Sequence, residues 1–318
     1  MPDASPKAVV RRLDPARSRA ERTRLTVARG ILRATVRAPS GPPLPVRAQR
    51  AWFRLSARAN PPARPAPRAD VEIGGRSAER VIGTSRPDPP AILYLHGGAY
   101  TLHTPFEYRP MTSAVALAAS AVVYALDYRR APEHPCPAAI DDALAAYRWL
   151  LDSGVPPERI ALAGDSAGGG LSLATAVAIR DASLPEPAVL ALISPWTDLT
   201  LSGETIRTKA RVDPILRLSW LRLSADQYRG SLPADDARVS PLNADLVGLP
   251  PTLIQAGTED MLASDAERIA DRLAAAGVET ELDLHEGLWH DFQSFPQFVP
   301  DATPAVQRLG AFIAVRCR

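Results

Sequence analysis

The sequence has few of the residues that build disulfide frameworks, metal clusters or membrane spans. Only two of its 318 residues are cysteine and five are histidine, so we expect no disulfide framework, no metal site and no metal cofactor. Cys136 lies between two prolines and Cys317 is the penultimate residue, which favours two unpaired thiols in a reducing compartment, the cytoplasm. No run of about 18 apolar residues occurs, so no integral membrane segment is expected.

Net charge is also small, at +2 overall, but it is unevenly distributed. Residues 1–70 carry 16 basic and 4 acidic side chains. Three interpretations of this basic segment stay open: contact with nucleic acid or anionic lipid, a transit peptide, or docking on the acidic remainder of the chain. Docking is favoured because Leu25, Ala28 and Leu32 recur at helical spacing. The first aromatic residue is Trp52, so no stacking platform for bases precedes it and no nucleic-acid partner is expected.

From residue 91 onward, short apolar runs alternate with alanine-rich segments of helical length. The runs predict buried strands at 91–95, 121–126, 160–163, 188–193 and 252–254. The longer segments predict helices at 106–119, 138–152, 168–181, 264–276 and 304–315. This alternation is typical of an α/β protein whose mostly parallel sheet is covered on both faces.

Two parts of the chain interrupt this order. Eight prolines between residues 39 and 70 indicate a loose connector. Residues 199–245 contain no convincing strand, and a long insertion between core strands usually carries function or forms a lid. We therefore expect residues 1–55 to form an N-terminal cap segment and residues 56–318 the main domain, with 199–245 contributing a cap insertion.

The most informative stretch is Gly164-Asp165-Ser166-Ala167-Gly168, which lies between a predicted strand and a predicted helix. This context is typical of a nucleophile elbow, in which the glycines leave room for a sharp turn and Ser166 is exposed at its tip. The N-terminus of the following helix favours a developing negative charge. The alternative is a helix start rich in glycine and serine that has no reactivity.

An earlier predicted strand ends in His96-Gly97-Gly98-Ala99-Tyr100. Its glycines allow backbone N–H groups to approach a ligand closely. Where a nucleophile elbow operates, such a loop stabilises an oxyanion together with the N–H group that follows the serine, here that of Ala167. The alternative is a tight turn with a buried histidine.

A catalytic triad on this pattern needs an acid and then a base after the serine. Only His285 and His290 follow Ser166. His285 falls inside a run that alternates like a strand, whereas His290 lies in the loop beyond it, so His290 is favoured as the base. Asp260 follows a predicted strand at the same edge of the sheet and is favoured as the acid over its neighbour Glu259.

Together these motifs resemble the hormone-sensitive-lipase-like branch of the α/β-hydrolases, also called the bacterial family IV esterases. The matching segments run in order through roughly residues 90–300, at 96–100, 127–135, 137–142, 164–169, 194–199, 257–262 and 287–290. The resemblance implies an α/β-hydrolase fold with about eight strands in a mostly parallel sheet, flanking helices and a helical cap. It also implies Ser166, Asp260 and His290 as the triad, within a catalytic domain at 56–318.

The resemblance further places the oxyanion hole among Gly97, Gly98, Ala99 and Ala167, with N–H donors on Gly98, Ala99 and Ala167. Ala99 stands where the family commonly has a third glycine. Alanine keeps its N–H group, so the donor survives if the backbone angles are allowed. The substitution therefore bears on the size of the acyl pocket more than on catalysis.

The implied activity is that of a serine carboxylesterase, acting on short- to medium-chain acyl esters without a cofactor. A lactone hydrolase, an acetyl hydrolase or an amidase could use the same triad, and a catalytically silent ligand-binding module would need a defective one. Tyr100, Trp196 and Trp289 are candidates for substrate binding, with a role as ordinary core aromatics as the alternative. The expected partner is a small-molecule ester or lactone, and a homodimer is left open.

Overall fold

One nine-stranded sheet organises the computed structural model, which describes residues 7–58 and 61–318. In chain order its strands are β1 (Val9–Leu13), β2 (Arg68–Ile73), β3 (Arg76–Ile82), β4 (Ala91–Leu95), β5 (Val122–Leu126), β6 (Ile160–Asp165), β7 (Val189–Ile193), β8 (Thr252–Gly257) and β9 (Thr280–His285). Their order across the sheet is β1-β9-β8-β7-β6-β4-β5-β3-β2. Strand β3 runs in the direction opposite to the other eight strands, so its pairings with β2 and β5 are antiparallel and all others are parallel.

Helices cover both faces of this sheet. They are α1 (Arg19–Leu32), α2 (Val46–Arg58), α3 (Arg109–Ala119), α4 (Ala138–Asp152), α5 (Ala167–Asp181), α6 (Thr205–Thr208), α7 (Leu218–Arg229), α8 (Ala263–Ala275) and α9 (Ala302–Arg316). A π-helical turn, Arg33–Arg37, follows α1, and 3-10 turns occupy Pro157–Arg159, Pro241–Asn243 and Phe292–Ser294. Among the described helices, none combines the length and the apolar composition that crossing a bilayer requires.

The central strands are apolar along their whole length because both of their faces are buried. In β4, Leu93 and Leu95 belong to one core while Ile92 and Tyr94 belong to the core on the opposite face. The helices that pack on the sheet in this second core are α3 and α9. Alternation of side chains between two cores is what turns a strand into a continuous apolar run. The predicted α/β-hydrolase class is confirmed, with nine strands where about eight were expected.

The additional strand is β1, which lies at the edge of the sheet and pairs in parallel with β9. Val9 and Val10 remain exposed, so no apolar run marks this strand in the sequence. Ion pairs reinforce it: Arg11 lies 2.9 Å from Asp283, and Arg12 lies 3.1 Å from Glu286. The segment predicted as a cap at 1–55 is therefore divided, since residues 9–13 join the sheet. Residues 1–6 and 59–60 lie outside the described residues.

The rest of the N-terminal segment packs on the insertion at 199–245, beyond the carboxyl ends of the strands. Arg37 donates hydrogen bonds to the carbonyl groups of Ala210 and Asp213, at 2.8 and 2.9 Å. In return, Arg217 donates to the carbonyl oxygen of Pro42 at 2.9 Å. Arg50 also pairs with Glu133 at 2.8 Å. These are the contacts that docking of the basic segment on its own chain requires.

Candidate active site

The turn between β6 and α5 holds Ser166 in a strained conformation. Its backbone angles are φ 53° and ψ −122°, a region that residues other than glycine rarely adopt. The glycines on either side allow the turn. A Cβ added to Gly168 would lie 1.9 Å from the carbonyl oxygen of Leu95, and one added to Gly164 would lie 2.4 Å from that of Gly168. The chain therefore needs both glycines to bring the serine to this position.

Three side chains from separate loops meet at this turn. The Oγ atom of Ser166 lies 2.9 Å from Nε2 of His290. The other ring nitrogen of His290, Nδ1, lies 3.1 Å from each carboxylate oxygen of Asp260. Asp260 is held in turn by the N–H group of Leu262, which donates to it at 2.7 Å. A serine, an imidazole and a carboxylate in this chain can transfer a proton away from the serine oxygen.

The two residues considered as alternatives lie elsewhere. The ring of His285, within β9, packs against Phe292 with 4.7 Å between ring centres. Burial lowers the pKa of His285. The carboxylate of Glu259 turns to Arg29 and pairs with it. The structure therefore brings His290 and Asp260 to Ser166, and it places His285 and Glu259 in other contacts.

A second carboxylate, that of Asp291, lies beside the same imidazole. One oxygen of Asp291 is 3.2 Å from Nε2 of His290. Burial lowers the pKa of His290, but the charges of Asp260 and Asp291 outweigh it and raise this pKa well above 6.5. A left-handed backbone conformation, φ 49°, directs Asp291 to this position. Sequence reasoning missed Asp291, and its place directly after the candidate base was the available signal.

Asp165, next to Ser166, ties the turn to the loop at 96–100. Its carboxylate accepts hydrogen bonds from the hydroxyl groups of Tyr94 and Tyr108, at 2.8 and 2.6 Å, and from the N–H group of Gly97 at 3.2 Å. Burial, with the charge of Asp291 added, raises the pKa of Asp165 well above its usual range. The variable position of the Gly-x-Ser-x-Gly motif thus has a positioning function that the motif alone did not indicate.

This contact corrects one candidate for the oxyanion hole. Because the N–H group of Gly97 already donates to Asp165, Gly97 is a loop-positioning residue and not a donor to a ligand. In the described chain, the N–H groups of Gly98, Ala99 and Ala167 donate to no other residue. Ala167 is the first residue of α5, where helix N–H groups have no partner within the helix. Ala99 keeps its donor in a left-handed conformation, at φ 52°.

Tyr100, Trp196 and Trp289 do not line the cavity beside Ser166. Each is at most 1% exposed. Tyr100 stacks on Tyr228 with 3.6 Å between ring centres, and the indole N–H of Trp196 donates to the carbonyl of Asp198 at 3.1 Å. Of the two roles left open for these aromatics, the structure favours packing in the core, since all three belong to the core cluster and none lines the cavity.

The cavity itself has a volume of about 600 Å³ and reaches Ser166 and His290 at its base. Most of its wall is apolar and comes from α1 and the π-helical turn after it, from α2 and α3, and from the insertion and the segment 294–298. The apolar side chains lining it include Leu32, Phe53, Met111, Ile215, Trp220 and Phe295. Its polar wall includes His103, Glu107 and Asp291. Among the described residues, no group of three or more His, Cys, Asp or Glu side chains could hold a metal ion.

Comparison with known proteins agrees with this geometry. A family model described as "alpha/beta hydrolase fold" matches residues 92–294. An acetyl-hydrolase of Streptomyces hygroscopicus is 40% identical over 247 residues, which cover 78% of this chain and 83% of that protein. An esterase of Acinetobacter venetianus is 32% identical over 283 residues, which cover 89% of this chain and 93% of that protein.

Among solved structures, one described as an esterase from the bacterial hormone-sensitive lipase family superposes with a TM-score of 0.88. It is 36% identical and covers 96% of this chain and 100% of its own. A hormone-sensitive lipase from a metagenome library gives a TM-score of 0.87 at 34% identity, with 92% of this chain and 98% of that chain covered. The chain therefore belongs to the hormone-sensitive-lipase family of carboxylesterases within the α/β-hydrolase fold.

Proposed function

We propose that this protein hydrolyses short- to medium-chain acyl esters through an acyl-enzyme formed on Ser166. The observation that carries the proposal is the continuous contact from the serine to the acid. Nε2 of His290 lies 2.9 Å from the serine oxygen, and Nδ1 lies 3.1 Å from Asp260. This contact lies at the base of a largely apolar cavity, where an ester carbonyl can reach the serine.

In the first step, Oγ of Ser166 attacks the ester carbonyl carbon while its proton moves to Nε2 of His290. Asp260 stabilises the imidazolium that forms. The negative charge on the former carbonyl oxygen is met by the N–H groups of Gly98, Ala99 and Ala167. Each such donor contributes about 2.7–4 kcal/mol in the transition state. The bond to the alkoxy group then breaks, and this group leaves as the alcohol with the proton from Nε2.

The second step releases the acyl group. A water molecule loses a proton to Nε2 of His290, and its oxygen attacks the carbonyl carbon of the acyl-enzyme. The bond to Ser166 then breaks, and the serine oxygen regains the proton from Nε2. The products are a carboxylic acid and the free enzyme, so the chemistry needs only water besides the ester.

The wall of the cavity supports a preference for uncharged acyl groups. A volume of about 600 Å³ accommodates a chain longer than acetyl, within the usual range of small-molecule sites. Glu107 and Asp291 lie on this wall, and negative charge there opposes anionic substrates. A second candidate is an acetyl ester, because the Streptomyces relative is an acetyl-hydrolase. A lactone is a third, since its opening uses the same steps.

Hydrolysis of p-nitrophenyl acetate, butyrate, octanoate and palmitate, together with one seven-membered lactone, tests the proposal. We expect the highest kcat/KM with butyrate or octanoate and none of this turnover in Ser166→Ala. Ser294→Ala is the matched control, since it removes a hydroxyl from the same cavity wall and should retain activity. An acetate optimum would favour the second candidate and a lactone optimum the third. Turnover retained in Ser166→Ala would refute the mechanism.

Two further points concern the protein outside this site. A homodimer is left open, and light scattering of the purified chain tests it. The reducing cytoplasm, inferred from cysteine usage, stays a prediction. Cys136 and Cys317 are both buried and unpaired, so thiol titration should find two free groups after unfolding and slow labelling before it.

A further inference from the structure

A single guanidinium on helix α1, that of Arg29, lies between three segments that are distant in sequence. Its Nη2 atom donates to the carboxylate of Glu259 and, at 2.7 Å, to the carbonyl oxygen of Gly287. Its Nη1 atom donates to the carbonyl oxygen of Val212 at 3.1 Å. Its central carbon lies 4.7 Å from the ring centre of Trp289, within the range of a cation–π contact.

Two of these partners directly precede triad residues. Glu259 comes before Asp260, and Trp289 comes before His290. Arg29 therefore holds the residue preceding the acid and the residue preceding the base with one planar group. A guanidinium has five donors in a fixed geometry, so satisfying these partners together fixes the spacing between their loops.

The third partner joins the insertion to the same loops. Val212 precedes Asp213, whose carboxylate accepts a hydrogen bond from the N–H group of Met261 at 3.0 Å. Burial and the charge of Asp260 raise the pKa of Asp213 to about 6. The segment that Arg29 holds at Val212 thus contacts the residue on the other side of Asp260.

We propose that Arg29 is a positioning residue, through which the docked N-terminal helix holds Asp260 and His290 in register with Ser166. The inference rests on the proposed function, because it concerns the rate of that reaction. It assigns to the N-terminal segment a part in assembling the triad, in addition to its contribution to the cavity wall. Loss of Arg29 should then act on the chemical step more than on ester binding.

The surroundings of Arg29 support more than a surface ion pair. Its side chain is 20% exposed and that of Glu259 is 32% exposed, whereas solvent-exposed pairs contribute little. The guanidinium of Arg33, one turn later, makes a single hydrogen bond within the described chain, to the carbonyl oxygen of Arg211 at 3.2 Å in an exposed position. Arg33 is therefore a matched control: it has the same charge as Arg29, lies four residues further along the chain and also contacts the insertion.

The test compares Arg29→Ala, Arg29→Lys and Arg33→Ala, each in the full chain. With p-nitrophenyl acetate we expect Arg29→Ala to lose about 10- to 100-fold in kcat, the cost of a small misplacement of catalytic groups, with KM little changed. Lysine should recover part of the loss, because an ammonium can contact these acceptors but cannot form the planar fork. Arg33→Ala should keep the wild-type kcat.

Two further measurements separate positioning from folding. A proton NMR signal from Nδ1–H of His290 reports its hydrogen bond to Asp260, and we expect it to weaken or broaden in Arg29→Ala while the far-UV circular dichroism spectrum is unchanged. The rate at which a fluorophosphonate labels Ser166 should fall in parallel with kcat. This label needs no ester substrate, so a wild type that is labelled but cleaves no ester would refute the proposed function and still test Arg29.

Two outcomes would overturn the proposal. One is a wild-type kcat and an intact Nδ1–H signal in Arg29→Ala. The other is a loss of activity in Arg29→Ala that equals the fraction of unfolded protein at each temperature, so that the variant has wild-type activity well below its melting temperature. If Arg29→Ala fails to fold, Glu259→Gln provides a second test, because it keeps the shape of the side chain that pairs with Arg29 but removes its charge. It should lower kcat in the same direction and by less.

Discussion

Replacing Asp291 by asparagine removes a carboxylate from the nitrogen to which the proposed mechanism transfers the serine proton. One oxygen of Asp291 lies 3.2 Å from Nε2 of His290, and Asp260 lies 3.1 Å from the opposite nitrogen. The N–H group of Asp291 donates to Oγ of Ser194 at 3.2 Å, a contact that asparagine retains. The substitution therefore changes the charge beside the imidazole with little change in the backbone.

The size of the effect follows from this distance. Two unit charges 3.2 Å apart attract each other by about 5 kcal/mol at an effective dielectric constant of about 20. Burial raises the pKa of Asp291, which reduces its negative charge, and Asp165 also interacts with the charge of His290. The interaction between Asp291 and His290 is therefore smaller than this figure. Carboxylates this close usually shift a neighbouring pKa by about 1–3 units. We expect the pKa of His290 to fall by an amount in this range.

The direction of the shift in the pH profile follows from the proposed role of His290 as a base. The neutral imidazole accepts the serine proton, so activity is present above the pKa of His290 and is lost below it. In the wild type that pKa is raised well above 6.5 by Asp260 and Asp291, against the effect of burial. Asp291→Asn should therefore shift the acid limb of the kcat/KM profile to lower pH.

The assay is the pH dependence of kcat/KM for p-nitrophenyl butyrate, with samples quenched and read at one alkaline pH. Asp260 also contacts the imidazole, and the charges of Asp165 and Asp213 interact with that of His290; all three carboxyl groups are retained in this variant. Glu107→Gln is the control, because Glu107 lies on the same cavity wall without a contact to His290. An acid limb that stays in place or moves upward in Asp291→Asn would refute the reasoning, as would an equal shift in Glu107→Gln.

Substitutions at three other positions test the structure that supports the site. A Cβ on Gly30 of α1 would meet nothing within 4 Å, so Gly30→Ala should stabilise the protein by about 0.5–1 kcal/mol in thermal unfolding. A Cβ on Gly168 would lie 1.9 Å from a backbone carbonyl, so Gly168→Ala should yield no soluble, active enzyme. Asp165→Leu leaves three donors without an acceptor, two of them in fully buried contacts, and should cost about 1–3 kcal/mol per buried donor in urea unfolding, whereas Asp165→Asn should cost much less.

The central strands could be predicted because burial on both faces leaves a direct mark on the sequence. The run at 91–95 coincides with β4, and that at 188–193 exceeds β7 by one residue. A strand covered on both faces has no polar positions to interrupt the run. The glycine and serine pattern then located the turn after β6, since few other arrangements of strand, turn and helix need glycines at those two positions.

Strand β1 could not be predicted in this way because its stability comes from another part of the chain. It has one neighbour, β9, and its arginines pair with acidic residues that lie about 270 positions away in sequence. Its valines face solvent. An edge strand of this composition is indistinguishable from a basic loop until its partner is in place.

The site residues also differ in whether a local sequence pattern or a contact distant in sequence determines their role. Ser166, Asp260 and His290 were predicted from chain order and from the edge of the sheet on which they fall. Asp165 was not, because its role depends on two tyrosine hydroxyl groups 57 and 71 positions earlier in the chain. For Trp289 the sequence left two roles open, substrate binding and core packing, because a large aromatic beside a catalytic residue suits a pocket or a core equally well. Only side-chain direction separates the two.

The uneven charge of the chain has a structural explanation in the insertion at 199–245. Apart from α6, α7 and one 3-10 turn this insertion has no regular structure, so many of its carbonyl groups lack the partners that a helix or strand would supply. Arg29, Arg33 and Arg37 donate to carbonyl groups of residues 210–213. The N-terminal arginines thus complete the hydrogen bonding of a segment that cannot complete its own. Because the insertion needs this partner, the two pieces that enclose the cavity are expected to fold together.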